Sequence, residues 1–304
     1  MRAEFRHEAL IYNDAQEFLD GTVPFLRAGL EAGAPTMVAV SQVPRALLEE
    51  ELGIDALEIS FVDMEELGRN PARIIPLWHQ FVEESAGRPA RGIGEPVWPG
   101  RRRHEIDECQ RHESLLNVAF DGEPAWTLLC PYDGSALDDE VLRRVGDSHR
   151  HVTGSGASGE VSGYLDQVDC FAGEFPGRPP VMDAFDFARD GLPQVRRRVE
   201  QAASLVGMAA DRAADLVLAA SELAANSVNH GGGTGTVRVW RDGDRLVVEV
   251  EDSGLIEEPL AGRIRPEQTQ LSGRGLWLAN QLCDLVQIRS GLHGTAVRLH
   301  SALA

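Results

Sequence analysis

No lysine occurs in the 304 residues; all 29 positions counted as Lys or Arg are arginine. That excludes a Walker A phosphate loop, which needs a lysine after its glycines, and it excludes Schiff-base chemistry and lysine general bases. Cysteine is scarce as well. Cys109, Cys130, Cys170 and Cys283 lie far apart without a C-x-x-C pair, which fits reduced thiols rather than a disulfide framework. No run approaches the roughly 18 apolar residues of a membrane helix. The first residues, MRAEFRHEALIYND, carry no apolar stretch with a small-residue cleavage site. The expectation is a cytoplasmic protein. Positive charge is also short, with a net charge of -19 at neutral pH. Nucleic-acid affinity comes from counterions released at clustered cations, and anionic membranes need the same clusters. Neither nucleic acid nor membrane is therefore an expected partner.

What is present suits two folded domains. A hydrophobic content of 43% is enough to bury cores, and 304 residues exceed one domain of ordinary size. The stretch GEFPGRPP (173–180) can continue neither helix nor ladder. It predicts a linker between a domain at 1–172 and another at 181–304. A second loose stretch, TGSGASG (153–159), precedes it.

Upstream of the linker, strand-like and helix-like segments alternate. Strands are expected at 8–13, 36–41, 57–63, 92–97 and 126–130, with helices between them and a last helix at 138–148. Such alternation implies a mostly parallel sheet with right-handed crossovers. Downstream, a strand at 182–187 precedes helices at 192–206 and 211–229. A hairpin follows, TVRVW and RLVVEVED joined at Asp242-Gly243. A glycine- and charge-rich loop, a helix at 276–285 and two final strands complete a two-layer α/β sandwich.

Four small signals fall in the second domain. Glu222 and Asn226 are four residues apart on one helix and share a face. Asp252-Ser253-Gly254 puts an acid at a strand end. Gly273-Arg274-Gly275-Leu276 opens a helix, whose backbone N–H groups make an anion site. Gly294-Thr295 starts the final strand. Singly each has an ordinary explanation, as a solvated helix face or a turn.

In this order and spacing the series resembles the N, G1, G2 and terminal boxes of the GHKL ATPase and kinase superfamily, across 181–304. The compact domain and the stretch GRGLWLANQLCD are most similar to anti-sigma-factor serine kinases. The resemblance implies a Bergerat (GHKL) fold binding ATP with Mg²⁺. Asn226 would hold the Mg²⁺. Asp252 would accept from the adenine amino group, a charge-assisted bond of about 1.5–3 kcal/mol. Gly254 would let the backbone pass the base, and Gly273, Arg274, Gly275 and Leu276 would wrap the phosphates. Thr295 would support adenine, and Glu222 would be the general base for an incoming serine hydroxyl. Arg263, Arg265, Arg274 and His230 are the available cations for the γ-phosphate. One departure stands out: family G1 boxes often carry a second glycine two residues after the first, and position 256 is Ile.

In the first domain, His7 and Tyr12 in HEALIY, VPFLRAGLEAG (23–33), ECQRHESLLN (108–117) and LLCPYD (128–133) resemble the MEDS sensory domain. The implied fold is RecA/KaiC-like without a P-loop, so no ATP hydrolysis is expected there. His104, Glu108 and His112 share one helix face beside Cys109 and are metal candidates only if another segment supplies ligands. His7 and Tyr12 are expected to pack, and His149 and His151 to lie at the surface. A ligand pocket near Asp63, Cys130 and Tyr132, at the carboxyl ends of parallel strands, is the generic expectation.

The resemblances together imply an ATP-dependent serine/threonine kinase and transcription regulator under sensory control. It would act on a STAS-type antagonist, bind a sigma factor, and pair as a homodimer. The alternatives are a nucleotide-gated binding module without phosphotransfer, or a sensor histidine kinase. The last needs a phosphoacceptor His before the ATP domain, and none lies between Pro180 and Glu222. Arg196-Arg197-Arg198 reads as a solvated helix face or a set of salt-bridge partners.

Overall fold

The computed structural model describes residues 5–122, 125–154, 157–160, 171, 173, 175, 177–267 and 273–304. Contacts divide the chain into two units, 1–168 and 169–304.

The first unit runs β1 (Arg6–Tyr12), α1 (Ala15–Glu31), β2 (Thr36–Val40), α2 (Gln42–Leu52), β3 (Ser60–Asp63), α3 (Met64–Leu67), α4 (Ile74–Glu84), β4 (Ala90–Gly94), α5 (Arg103–Ala119), β5 (Trp126–Asp133), α6 (Asp139–Arg143), α7 (Val145–Ser148), β6 (His151–Gly154) and β7 (Ala157–Glu160). The sheet order is β3-β2-β4-β5-β1-β6-β7. Neighbours pair in parallel except β7, which runs antiparallel to β6. A parallel sheet is covered on its faces, so its central strands are apolar; Val38, Ala39 and Val40 of β2 and Ile93 of β4 are fully buried.

Helix α1 shows how local sequence sets an element. The Asp14 side chain accepts the Glu17 N–H at 2.9 Å, and Glu17 reaches back to the Asn13 N–H at 2.8 Å. This reciprocal cap satisfies orphan donors of the first turn. The helix then buries Phe18 and Leu26 against Leu10, Val38 and Ile93, at about 1.5–3 kcal/mol per side chain.

The hairpin β6–β7 is a departure from the sequence reading, which left 153–159 as a loose stretch. Glycine and serine carry no apolar period, so the signal is missing. Strand β7 pairs antiparallel with β6, and β6 is docked on β1 through Glu8↔His151 to Leu10↔Thr153, with Thr153 Oγ1–H donating to the Ala9 carbonyl at 3.3 Å.

The second unit contains β8 (Asp183–Ala188), α8 (Leu192–Leu205), α9 (Ala210–His230), β9 (Thr234–Asp242), β10 (Arg245–Asp252), α10 (Arg274–Leu282), β11 (Leu285–Gly291) and β12 (Gly294–Ala302). Its sheet is antiparallel in the order β11-β12-β10-β9-β8. Leu216, Ala220, Leu223 and Ala224 of α9 share a core with Val237, Val248, Val250 and Leu299. This is the expected two-layer sandwich.

Alternation along β10 sends Glu249 to the other face, where it is fully buried. Its cross-strand neighbours Arg238 and Arg298 reach it at 3.3 and 2.8 Å, and Arg178 at 2.6 Å. Arg289 and Arg298 stack on the Phe175 ring. Phe175 and Arg178, within the stretch expected as linker, thus lie against this sheet. Of the arginine run, Arg198 pairs with Asp183 and lies over Phe185, while Arg196 donates to Ser221 at 3.2 Å. No helix among the described residues is long and apolar enough to cross a membrane.

Candidate functional site

Three elements of the second unit end at one place. Strand β10 finishes at Asp252, directly across from Thr295 at the start of β12. Helix α9 brings Asn226 and Ser227 in its last turns, and α10 starts after Gly273.

The Asp252 carboxylate is held by two donors. Ser227 Oγ–H donates to Oδ2 at 2.5 Å and the Gly254 N–H donates to Oδ1 at 2.8 Å. A carboxylate has about four acceptor positions, so capacity remains for a further donor. Gly231 permits this closeness: a Cβ there would meet Asp252 Cγ at 2.3 Å.

A second network fixes the chain after Asp252. Thr295 Oγ1–H donates to the Gly254 carbonyl at 2.9 Å. Ser290 Oγ lies 2.6 Å from Thr295 Oγ1 and accepts the Ile256 N–H at 2.8 Å. The Thr295 hydroxyl proton is therefore already engaged by the 254–256 turn. Ile256, at the position where the resembling family often has glycine, packs against the core and helps line the cleft.

The resulting open cleft measures about 620 Å³, within the usual range of roughly 300–1,000 Å³ for small-molecule sites. Asn226, Asp252, Gly254, Gly273, Leu276 and Thr295 line it, over apolar side chains that include Leu223, Val250 and Val297. Glu222, Arg274 and Gly275 are not among its lining residues. A Cβ on Gly275 would meet Asn226 Nδ2 at 2.9 Å and Glu222 Cβ at 3.4 Å, so the first turn of α10 rests on α9 at those two residues. The Arg274 guanidinium turns to the Glu267 carbonyl at 3.4 Å. Of the other cations singled out from sequence, His230 lines the cleft, while Arg263 and Arg265 do not.

The chemistry of the cleft suits a nucleotide. An apolar floor accepts a base, and the carboxylate beside it accepts an exocyclic amino group. The N-cap Gly273 offers the nine-residue α10 no side-chain cap, and the N–H groups of a helix's first turn favour an anion. Asn226 offers a neutral oxygen ligand of the kind hard divalent cations take. Ser227 and Gly231 escaped the sequence reading, because their partner Asp252 lies more than twenty positions further along the chain.

The first unit departs from expectation at several residues. His149, expected at the surface, is fully buried, as is His112. Asp63 caps α3 by accepting the Glu65 and Glu66 N–H groups. Cys130 and Tyr132 are buried against Glu113 rather than opening onto a pocket. At the carboxyl edge of the sheet, the Ser41 N–H and Oγ–H both donate to Glu95, at 3.0 and 2.7 Å. Burial pushes the Glu95 carboxyl above its ordinary value despite those bonds, and burial together with Glu95 pushes the Tyr12 phenol up as well.

The chain thus comprises a mostly parallel α/β unit and a two-layer sandwich with a cleft at the ends of β10, α9 and α10. Residues 6–150 match the family model for MEDS, the MEthanogen/methylotroph, DcmR Sensory domain. Residues 186–300 match the model for the histidine kinase-like ATPase domain. The chain carries a MEDS domain followed by a histidine kinase-like ATPase domain.

Among solved structures, the chain is similar to the RsbU and RsbW domains of Rv1364c from Mycobacterium tuberculosis. Identity there is 23%, over 40% of this chain and 33% of that one, with a TM-score of 0.30. It is also similar to a chain of the SiaB-SiaC complex from Pseudomonas aeruginosa, at 13% identity over 40% of this chain and 89% of that one, with a TM-score of 0.32. The match thus spans a third of the first of these chains, and both likenesses are too loose to bear on function. No curated protein matches the chain.

Proposed function

We propose that the second unit is an ATP-dependent serine/threonine protein kinase of the anti-sigma-factor type, governed by the MEDS domain. The observation that carries this reading is the convergence of Asn226, Asp252, Gly254, Gly273 and Thr295 on one cleft from four separate segments.

In this reading the free lone pairs of Asp252 accept the adenine amino group, while Ser227 and Gly254 hold the carboxylate in place. Thr295 acts one step back, fixing the Gly254 carbonyl so that the backbone lies along the base. The uncapped N–H groups of α10 receive phosphate oxygens, with Gly275 letting that helix close on Asn226. Asn226 is the Mg²⁺ ligand; the ion, when bound, neutralises phosphate charge and keeps most of its waters. Glu222 takes the proton of the attacking serine hydroxyl, a role that contributes roughly 10²–10⁴ in rate. Of the basic side chains considered for the phosphates, His230 is the one that lines the cleft.

The substrate in this reading is a serine of a STAS-type antagonist. A sigma factor competes for the same unit, and two copies pair as a homodimer. The MEDS domain biases these partners by differing contacts in two states.

The test is incubation of the full chain with Mg²⁺ and γ-labelled ATP, with and without STAS proteins, beside Glu222→Ala. Label on a STAS serine that disappears with Glu222→Ala supports the kinase and its base. Tight ATP binding with no label on any protein overturns phosphotransfer and leaves a nucleotide-gated binding module.

A further inference from the structure

A second constellation lies wholly within the first unit. His7 on β1, Glu113 on α5, Cys130 on β5 and His149 just past α7 converge, with ligand atoms all within 4.8 Å of one another. His7 Nε2 is 3.2 Å from Glu113 Oε2 and 3.3 Å from Cys130 Sγ, and His149 Nε2 is 3.0 Å from Glu113 Oε2. All four residues are buried.

The outer hydrogen bonds fix the tautomers. Asn117 Nδ2 donates to the Ser148 carbonyl at 2.8 Å, so its Oδ1 is the atom 3.2 Å from His7 Nδ1. His149 Nδ1 lies 2.8 Å from the Val145 carbonyl oxygen. Both facing oxygens only accept, so both Nδ1 atoms carry hydrogen. In the neutral rings each Nε2 is then a lone pair, and both face Glu113 Oε2, itself an acceptor. The donors beside them are the Tyr132 hydroxyl, 3.2 Å from Glu113 Oε2, and the Cys130 thiol, 3.3 Å from His7 Nε2, which leaves His149 Nε2 with no donor among the described residues. Such a gathering calls for a cation. Two imidazolium charges with ring centroids 4.0 Å apart would repel in a medium that screens poorly.

We propose that the MEDS domain binds one divalent transition-metal ion, zinc foremost, through His7 Nε2, Glu113, Cys130 Sγ and His149 Nε2. Two neutral imidazoles, a carboxylate and a thiolate carry two negative charges, which a divalent ion cancels, so the buried site becomes neutral. The mixed nitrogen, oxygen and sulfur set is one that zinc accepts. Tetrahedral zinc with bonds of about 2.0–2.3 Å sets ligand atoms about 3.3–3.6 Å apart; three of the six pairs here lie at 3.0–3.3 Å and all lie within 4.8 Å, so small side-chain adjustments would close the set on an ion. The outer bonds of both histidines are those that orient metal-bound imidazoles. On binding, four metal–ligand bonds form and the Cys130 S–H bond breaks, its proton leaving to solvent. With four protein ligands and no exposed face, the ion would tie β1, β5, α5 and the end of α7 together rather than activate water. The helix face singled out from sequence, His104, Glu108 and His112, is not this group; only Glu113, from the same helix, takes part.

The test is the metal content of the full chain expressed in zinc- or cobalt-supplemented minimal medium, so that the ion is available as the chain folds. One ion per chain is expected in the wild type. It should fall at least tenfold in Cys130→Ser combined with His149→Ala, with the far-UV circular dichroism retained. X-ray absorption at the zinc edge of the wild type should show one sulfur and two imidazoles, which decides the matter even if the double variant does not fold. A wild-type chain carrying no metal from either medium, an ion without a sulfur ligand, or a folded double variant that keeps its ion overturns the proposal. In the first case the cluster holds protons instead.

Discussion

Replacing Gly275 with alanine should separate folding from nucleotide binding. The added methyl would sit 2.9 Å from Asn226 Nδ2 and 3.4 Å from Glu222 Cβ. An ordinary contact is about 3.5 Å or more, so the Asn226 amide has to retreat by about half an ångström. It is the end of a flexible side chain, so the fold absorbs the move. Gly275 lies within α10, where alanine gains up to about 0.5–1 kcal/mol over glycine. Stability should therefore be level or slightly higher. Binding should suffer, because Mg²⁺ demands near-ideal octahedral geometry and the α10 N–H groups move with the helix. A loss of about 1.4–2.8 kcal/mol corresponds to ATP·Mg binding roughly 10- to 100-fold weaker. Calorimetric titration with ATP·Mg, beside a thermal melt of the same sample, reads both quantities. Unchanged affinity in a folded Gly275→Ala chain would refute the placement of Asn226 at the metal.

Asp252→Ala should weaken ATP binding by about 10- to 100-fold, and Ser227→Ala by less, since Gly254 still holds the carboxylate; equal affinities in a titration of all three chains would contradict the adenine role. Glu249→Ala leaves Arg298 and two further arginines facing a buried gap and should destabilise by about 3–5 kcal/mol, read from urea unfolding. Glu95 has a folded value above the ordinary 4.5, so above that pH the folded chain binds more protons than the unfolded one. Its contribution to stability is full below about 4.5 and is lost as pH rises through the folded value. Glu95→Gln should therefore gain stability over wild type as pH rises from 5 to 7; a constant difference in urea midpoints would show that Glu95 does not titrate this way.

Most elements and the order of the proposed nucleotide-site residues follow from local sequence alone. Periodicity is a local property, so β10 at 245–252 and the helix carrying Glu222 and Asn226 could be read directly, and the spacing from Asp252 to Gly273 to Thr295 marked the ATPase domain. What a side chain faces across the fold is not local. Thr295 read as a support for adenine, and its bond to the Gly254 carbonyl appears only in the fold; Ser227 gave no signal, because its meaning depends on Asp252 arriving beside it. The plainest case is in the MEDS domain. His7 read as packing and is buried, while His149 read as surface and is buried beside it, next to Glu113 and Cys130. Four side chains from β1, α5, β5 and the end of α7 have no common spacing; only the parallel pairing of β1 with β5, and the packing of the helices upon them, brings their polar atoms within 4.8 Å of one another.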